Sequence, residues 1–329
     1  MRNYLPWMLL AASFNLVACG GDDDSNGASG GNTSGGKSAG GTSSGGASTG
    51  GTSAGGTSAG GQTGLKDIVD TAVAAGTFTK LADALTAAGL VDALKGPGPF
   101  TVFAPTDAAF AAFETANPGV LGKLTKAELG SILTYHVLSG AAVKSGDLKD
   151  DQVVITLNGS PALIDLTGGV KVGATAEANV TAADVLAKNG VIHVIDQILL
   201  PPANDLVETA VAAGSFTTLA GALTSADLVD TLKGEGPFTV FAPTDAAFAK
   251  LATVPTGDAL KNVLLYHVVS GAVGSGDLSA GMVPTLLTGE SVTVNLTGGV
   301  KINASKVTTA NIIAKNGVIH VVDTVLVPN

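Results

Sequence analysis

Apolar positions fall at helical spacing near residue 70 and at strand spacing near residue 100, and the same succession returns 138 residues later. Ile68, Val69, Ala72 and Val73 stand at i, i+1, i+4 and i+5, and Phe78, Leu81, Ala82 and Leu85 follow the same rule. Gly76 and Gly89 interrupt the pattern, so residues 66–95 predict a series of short helices. Phe100, Val102 and Ala104 then alternate with Thr101 and Phe103, the period of a strand. Pro105 has no N–H to donate and stops that strand. Thr106 or Asp107 can accept a hydrogen bond from the first free N–H groups of a helix, and the alanine-rich stretch 108–112 favours one. Another helix is predicted across Lys126 to Thr134. After Tyr135 the pattern turns to strands, with branched residues in 153–157 and 163–172 and a tight turn at Thr167-Gly168-Gly169. Asn189-Gly190 marks a turn before a last strand, Val191 to Leu200, ended by Pro201. Helices first and strands later predict an α+β fold, a curved antiparallel β assembly covered by helices.

Eleven residues, Phe100 to Phe110, recur unchanged at Phe238 to Phe248. Around them Asp67–Phe113 aligns with Asp205–Leu251, with about three quarters of positions identical. Tyr135-His136-Val137 returns as Tyr266-His267-Val268, and Asn189-Gly190-Val191-Ile192-His193 as Asn316 to His320. Loops around 118–128 and 173–183 shorten in the second copy, which closure entropy tolerates. Two long units joined by Pro201-Pro202-Ala203-Asn204 are tandem domains, 65–201 and 204–329, not a solenoid.

The ends of the chain change the picture. Residues 1–18 carry Arg2 and an apolar stretch too short to cross a bilayer as a helix, which fits a secretory signal. It closes on Leu16-Val17-Ala18-Cys19-Gly20, which resembles the lipobox of bacterial lipoproteins. That resemblance implies cleavage before Cys19, the only cysteine in the chain, and lipid on its sulfur and amino group. Residues 19–64 are Gly, Ser, Thr and Ala with almost nothing to bury, and predict a disordered tether with a span of roughly 35–40 Å. Gly-x-Ser-x-Gly matches there (41–45, 51–55) lack the strand and helix that a nucleophile elbow needs.

The net charge of −10 is spread over both repeats, and no segment is basic, so nucleic acid is not an expected partner. All four histidines, His136, His193, His267 and His320, lie in the repeated motifs, in sequence rich in Val, Ile and Leu. None has partners at metal-ligand spacing, and each reads as a partly buried histidine bonded across a sheet. No Ser/His/carboxylate cluster stands out. The expectation is a protein that is not an enzyme and needs no metal or cofactor.

Together the eleven-residue stretch, the Tyr-His pair and the Asn-Gly-Val-Ile-His run resemble the two signature regions of the fasciclin (FAS1) domain, in both copies. The resemblance implies a β-wedge or sandwich covered by several short helices, and a role in extracellular adhesion. In animal matrix members of the periostin type, integrin binding has been attributed to an Asp-Ile pair before the second signature and to the Tyr-His segment. The matching positions here are Asp184, Val185 and Leu186, with Tyr135, His136, Tyr266 and His267. In the second copy Asn311-Ile312-Ile313 has lost the acidic residue, which weakens any such role there. The expected function is lipid-anchored attachment, cell to cell or cell to matrix. The partner would be an extracellular protein or polysaccharide, and the location the bacterial envelope, periplasmic or on the cell surface. The alternatives are a structural envelope module and a carrier of a small apolar ligand held between helices and sheet.

Overall fold

The computed structural model describes residues 64–175 and 177–328, so the signal, Cys19 and all of the tether before Gly64 lie outside the described residues. Three short helices open the first repeat: α1 (Ile68–Ala75), α2 (Thr79–Ala88) and α3 (Val91–Lys95). Asp67 accepts from the Asp70 N–H and caps α1, while Gly76 and Gly89 end α1 and α2 at φ 73° and 70°. That left-handed conformation strains any side chain with a Cβ, which is why glycine writes both breaks.

β1 (Phe100–Pro105) leads into α4 (Asp107–Ala116), followed by α5 (Lys126–Tyr135) and β2 (Val137–Ser139). The remaining strands are β3 (Gln152–Ile155), β4 (Pro161–Asp165), β5 (Lys171–Gly173), β6 (Ala178–Ala187) and β7 (Gly190–Ile195). They form one seven-stranded sheet in the order β2-β1-β7-β6-β5-β4-β3.

The second repeat repeats this plan. Its helices are α6 (Leu206–Ala212), α7 (Thr217–Ser225), α8 (Val229–Lys233), α9 (Asp245–Phe248) and α10 (Gly257–Tyr266). Its strands are β8 (Phe238–Pro243), β9 (Val268–Ser270), β10 (Gly281–Pro284), β11 (Ser291–Asn295), β12 (Lys301–Ile302), β13 (Ser305–Ala314) and β14 (Gly317–Val322). The sheet order is β10-β11-β12-β13-β14-β8-β9.

The α+β class stands, but the sheet is not wholly antiparallel. The first and last strands, β1 and β7, lie side by side and parallel, from Phe100 opposite Gly190 to Pro105 opposite Ile195. This pair, second and third in the sheet, is covered on both faces, as parallel strands usually are. Val102 and Ala104 join the core under the helices, with Leu81, Leu85, Leu133 and Ile192. Phe103 joins a second core with Tyr135, Ile164, Val172 and Ile195. At roughly 1.5–3 kcal/mol for each large side chain buried, both faces of β1 contribute.

Three sequence expectations shift. The last strand ends at Ile195, short of Leu200, because the chain beyond it leaves the ladder. Residues 163–172 are two short strands folded about the predicted turn. β6 and β13 were not expected, because their runs of small residues and interrupted burial patterns carry no regular alternation. The strand is kept in both copies, and the shortening near 173–183 falls in the turn before it.

Candidate partner-binding site

The twice-written stretch distributes its caps between two helices. The Thr106 hydroxyl accepts from the Ala109 N–H and caps its own helix, α4. The Asp107 carboxylate accepts from the Lys80 N–H instead and caps α2, and Asp245 does the same for Thr217 and Thr218 at the start of α7. Asn189 is similarly structural. Its Oδ1 accepts from the Ile68 N–H at the start of α1, and its Nδ2 donates to the carbonyls of Leu94 and Gly96 at the end of α3. A Cβ on the neighbouring Gly190 would overlap the Phe100 carbonyl oxygen, so only glycine lets β7 approach β1 this closely.

The Tyr-His pairs lie in the interior. Tyr135 is 0% exposed and its hydroxyl donates to the Pro161 carbonyl. His136 caps the end of α5 and is not in a strand, which corrects the expectation of a cross-sheet histidine. Its Nε2 accepts from the Leu199 N–H at 2.9 Å, which leaves Nδ1 to donate to the Ile132 carbonyl at 2.8 Å. Burial lowers its pKa to about 4, against the opposing effect of the Ile132 bond. His267 repeats this with Leu326 and Val263, also at about 4, and Tyr266 donates to Ser291. All four side chains are at most 2% exposed, so none presents a surface to a partner in this conformation.

His193 and His320 do sit in strands. Each stacks on a phenylalanine, Phe103 at 5.6 Å and Phe241 at 5.8 Å, and donates from Nε2 to the carbonyl of Val143 or Val273. Each also accepts from a backbone N–H, that of Asp184 or Asn311. Those two residues are where the copies diverge.

Asp184 and Asn311 occupy β-bulges in β6 and β13, at φ 61° and 60°. The bulge turns their side chains onto the loop that precedes β3 or β10. In the first domain the Ser145 N–H donates to Asp184 Oδ1 at 2.8 Å and the Ser145 hydroxyl to Oδ2 at 2.6 Å. Those bonds, the hydroxyl's first, lower the Asp184 pKa. Val185 and Leu186 beside it are 37% and 38% exposed.

In the second domain the same place has an occupant, the start of β3 from the first domain. Asn311 Nδ2 donates to Asp151 Oδ1 at 2.9 Å, and the Ser275 hydroxyl donates to Asp151 Oδ2 at 3.0 Å. The Gly276 N–H donates to the Asp151 carbonyl, and the Val153 N–H donates to Asp277 Oδ2 at 3.0 Å. Val153 packs on Ile313 and Val318, the counterparts of Leu186 and Val191. A Cβ on Gly274 would overlap the Asp151 carbonyl oxygen, and one on Gly276 that of Asp150. Asn311 is therefore a contact between the domains. The signal in the sequence was Gly274-Ser275-Gly276-Asp277 set against Lys144-Ser145-Gly146-Asp147.

Cavities under the helices of the two domains measure about 20 Å³ each, space for one water. A larger one, about 250 Å³, lies elsewhere, lined by Phe241, Val269, Leu278, Met282 and Val283. Among the described residues no three His, Cys, Asp or Glu side chains converge as metal ligands, and no helix is long and apolar enough to cross a membrane.

Two tandem α+β modules, joined through a strand of one seated on the bulge of the other, define a two-domain module of the FAS1 type. The family model described as the Fasciclin domain matches residues 76–201 and 214–328, and the chain belongs to that family. An uncharacterised protein of Synechocystis sp. is 45% identical over 138 residues, covering 41% of this chain and 98% of that protein. Human periostin is 28% identical over 268 residues, covering 78% of this chain and 31% of periostin. A solved FAS1 domain pair from the insect cell adhesion molecule fasciclin I is 20% identical, covers 77% of this chain and 97% of that one, and has a TM-score of 0.35.

Proposed function

We propose that this chain is a lipid-anchored envelope protein that attaches its cell to an extracellular protein or polysaccharide through the open bulge of its first domain. The lipid sits on Cys19, residues 19–64 act as the tether, and 65–201 and 204–329 are the two domains. One observation carries the assignment of the site. The bulge of the second domain is filled by the first domain, whereas at its counterpart beside Asp184 and Val185 the exposed Leu186, which matches Ile313, has nothing packed on it among the described residues. The resemblance of the signatures to FAS1 adhesion modules supports attachment as the role.

The buried Tyr135, His136, Tyr266 and His267 hold the frame of that site and do not touch the partner. Cells carrying Val185→Asp and Leu186→Asp together should lose attachment and cohesion while the purified chain keeps its melting temperature. Unchanged attachment would refute the assignment. Mass spectrometry of the mature N-terminus should find Cys19 lipidated, and an unmodified Cys19 would refute the anchor.

A carrier role finds little support in size. The cavity of about 250 Å³ is below the roughly 300–1,000 Å³ of ordinary ligand pockets, and those under the helices are far smaller.

A further inference from the structure

The two bulges are the same seat with opposite hydrogen-bond polarity, and one atom makes the difference. Asn311 Oδ1 and Asp184 Oδ1 do the same work, each accepting from the N–H of the serine opposite. At the second atom the copies part. Asn311 Nδ2 donates both to Ser275 Oγ and to Asp151, which frees the Ser275 O–H to donate to Asp151 as well. The seat of the second domain thus offers two donors to one carboxylate. In the first domain Asp184 Oδ2 replaces that Nδ2 and takes up the Ser145 O–H. What the Asp184–Ser145 pair has left to offer is a carboxylate oxygen and the lone pairs of Ser145 Oγ, both acceptors, with the Lys144 ammonium close by.

We infer that the open seat of the first domain takes an extended polypeptide segment of a partner that carries an arginine or lysine where this chain's own β3 carries Asp151, followed two residues on by an aliphatic side chain that lies on Leu186. The inference rests on the proposed site and deepens it by naming the partner's chemistry. The occupant of the second seat supplies the template: Asp151 at the polar pair and Val153 on Ile313 and Val318. Gly146, the counterpart of the crowded Gly276, has nothing within 4 Å, so this part of the seat is vacant. Lys144 stands where Gly274 lets the Asp151 backbone come close, so the partner engages by its side chains and not by the same backbone approach. Its charge also lies near Asp184, so a guanidinium that bridges Asp184 and Ser145 in two bonds has the advantage over an ammonium. The Asp184–Ser145 pair has no donor left for a carboxylate, which disfavours the β3 of a second copy.

The polarity rule is tested within the chain, where the segment is already tethered. Asn311→Asp should separate the domains, and adding Asp151→Arg should bring them back, read as the radius of gyration of the full chain in solution scattering. Failure of the double variant to restore the compact form would overturn the rule. The open seat is tested by NMR on the full chain with a peptide copying residues 149–155, with arginine or aspartate at the place of Asp151. The arginine peptide at millimolar concentration should move the Ser145, Val185 and Leu186 amides and bind about ten-fold more tightly than the aspartate form. Asp184→Asn should invert that preference. No movement with the arginine peptide, or an unchanged preference in Asp184→Asn, would overturn the inference. A bound peptide with attachment intact in the Val185→Asp, Leu186→Asp strain would instead keep the seat and remove the adhesive role. Lost attachment without peptide binding would do the reverse.

Discussion

At the scale of single residues, the motifs this chain repeats most faithfully are interior joints. His136 and His267 each bridge a helix end to the last segment of their domain through two backbone groups, and both are fully buried. Their folded pKa of about 4 lies below the 6.5 of an unfolded histidine, so the unfolded chain binds the extra protons first. Their contribution is fully present above pH 6.5 and is lost as pH falls from 6.5 towards 4. Each shift corresponds to about 3 kcal/mol over that window. The midpoint of urea unfolding should therefore fall steadily between pH 7 and pH 5.5, above the range in which the carboxylates titrate. A flat midpoint over that range would refute buried neutral histidines. Asp184 shows how little a residue type says by itself. The family resemblance marked it as a binding position, but both its oxygens also hold the Ser145 loop, so it shapes the site as well as facing out of it.

At the scale of elements, the joints decide where helices start and stop. Asn189 satisfies the first N–H of α1 and two carbonyls after α3 at once, and Asn316 repeats this for α6 and α8. Asn189→Ala leaves those three groups short of a partner and should cost about 2–4 kcal/mol in chemical denaturation. Asn189→Asp keeps the acceptor but sets a charge against two carbonyls, and should be no better. The elements legible in the sequence were those with a strong local signal: helices with a 3.6-residue period and glycine stops, and the β1 stretch with its proline. β6 and β13 were not legible, because a bulged strand of small residues has no amphipathic pattern. The parallel pairing of β1 with β7 was not legible either, since the partners are about ninety residues apart and only the closed sheet brings them together.

At the scale of the whole described structure, the contact between the domains is specific and directional. It places the first domain's β3 on the second domain's bulge, through a carboxylate between two donors and an apolar patch in which Val153, with Leu163 and Ala174 beside it, meets Ile313 and Val318. Gly274→Val would put a side chain where the Asp151 carbonyl lies, and should increase the radius of gyration while leaving the melting of each domain nearly unchanged. It should also expose 201–204 to proteases. A compact Gly274→Val chain would show that the contact does not hold the pair. Free domains on a flexible link would gain little more than avidity, whereas a fixed pair presents one seat at a set orientation.

What the sequence by itself determined is the kind of protein: two α+β copies of one FAS1 module, their helix boundaries, and the positions where the copies differ. Periodicity, caps and repeated motifs are local properties, and one chain carries them in full. Only the tertiary structure decided what those differences do. An Asp in one copy and an Asn in the other look like a kept and a lost ligand when read along the chain. Folded, the Asn is occupied by the other domain and the Asp faces outward, because whether a polar group is satisfied depends on what distant residues bring against it.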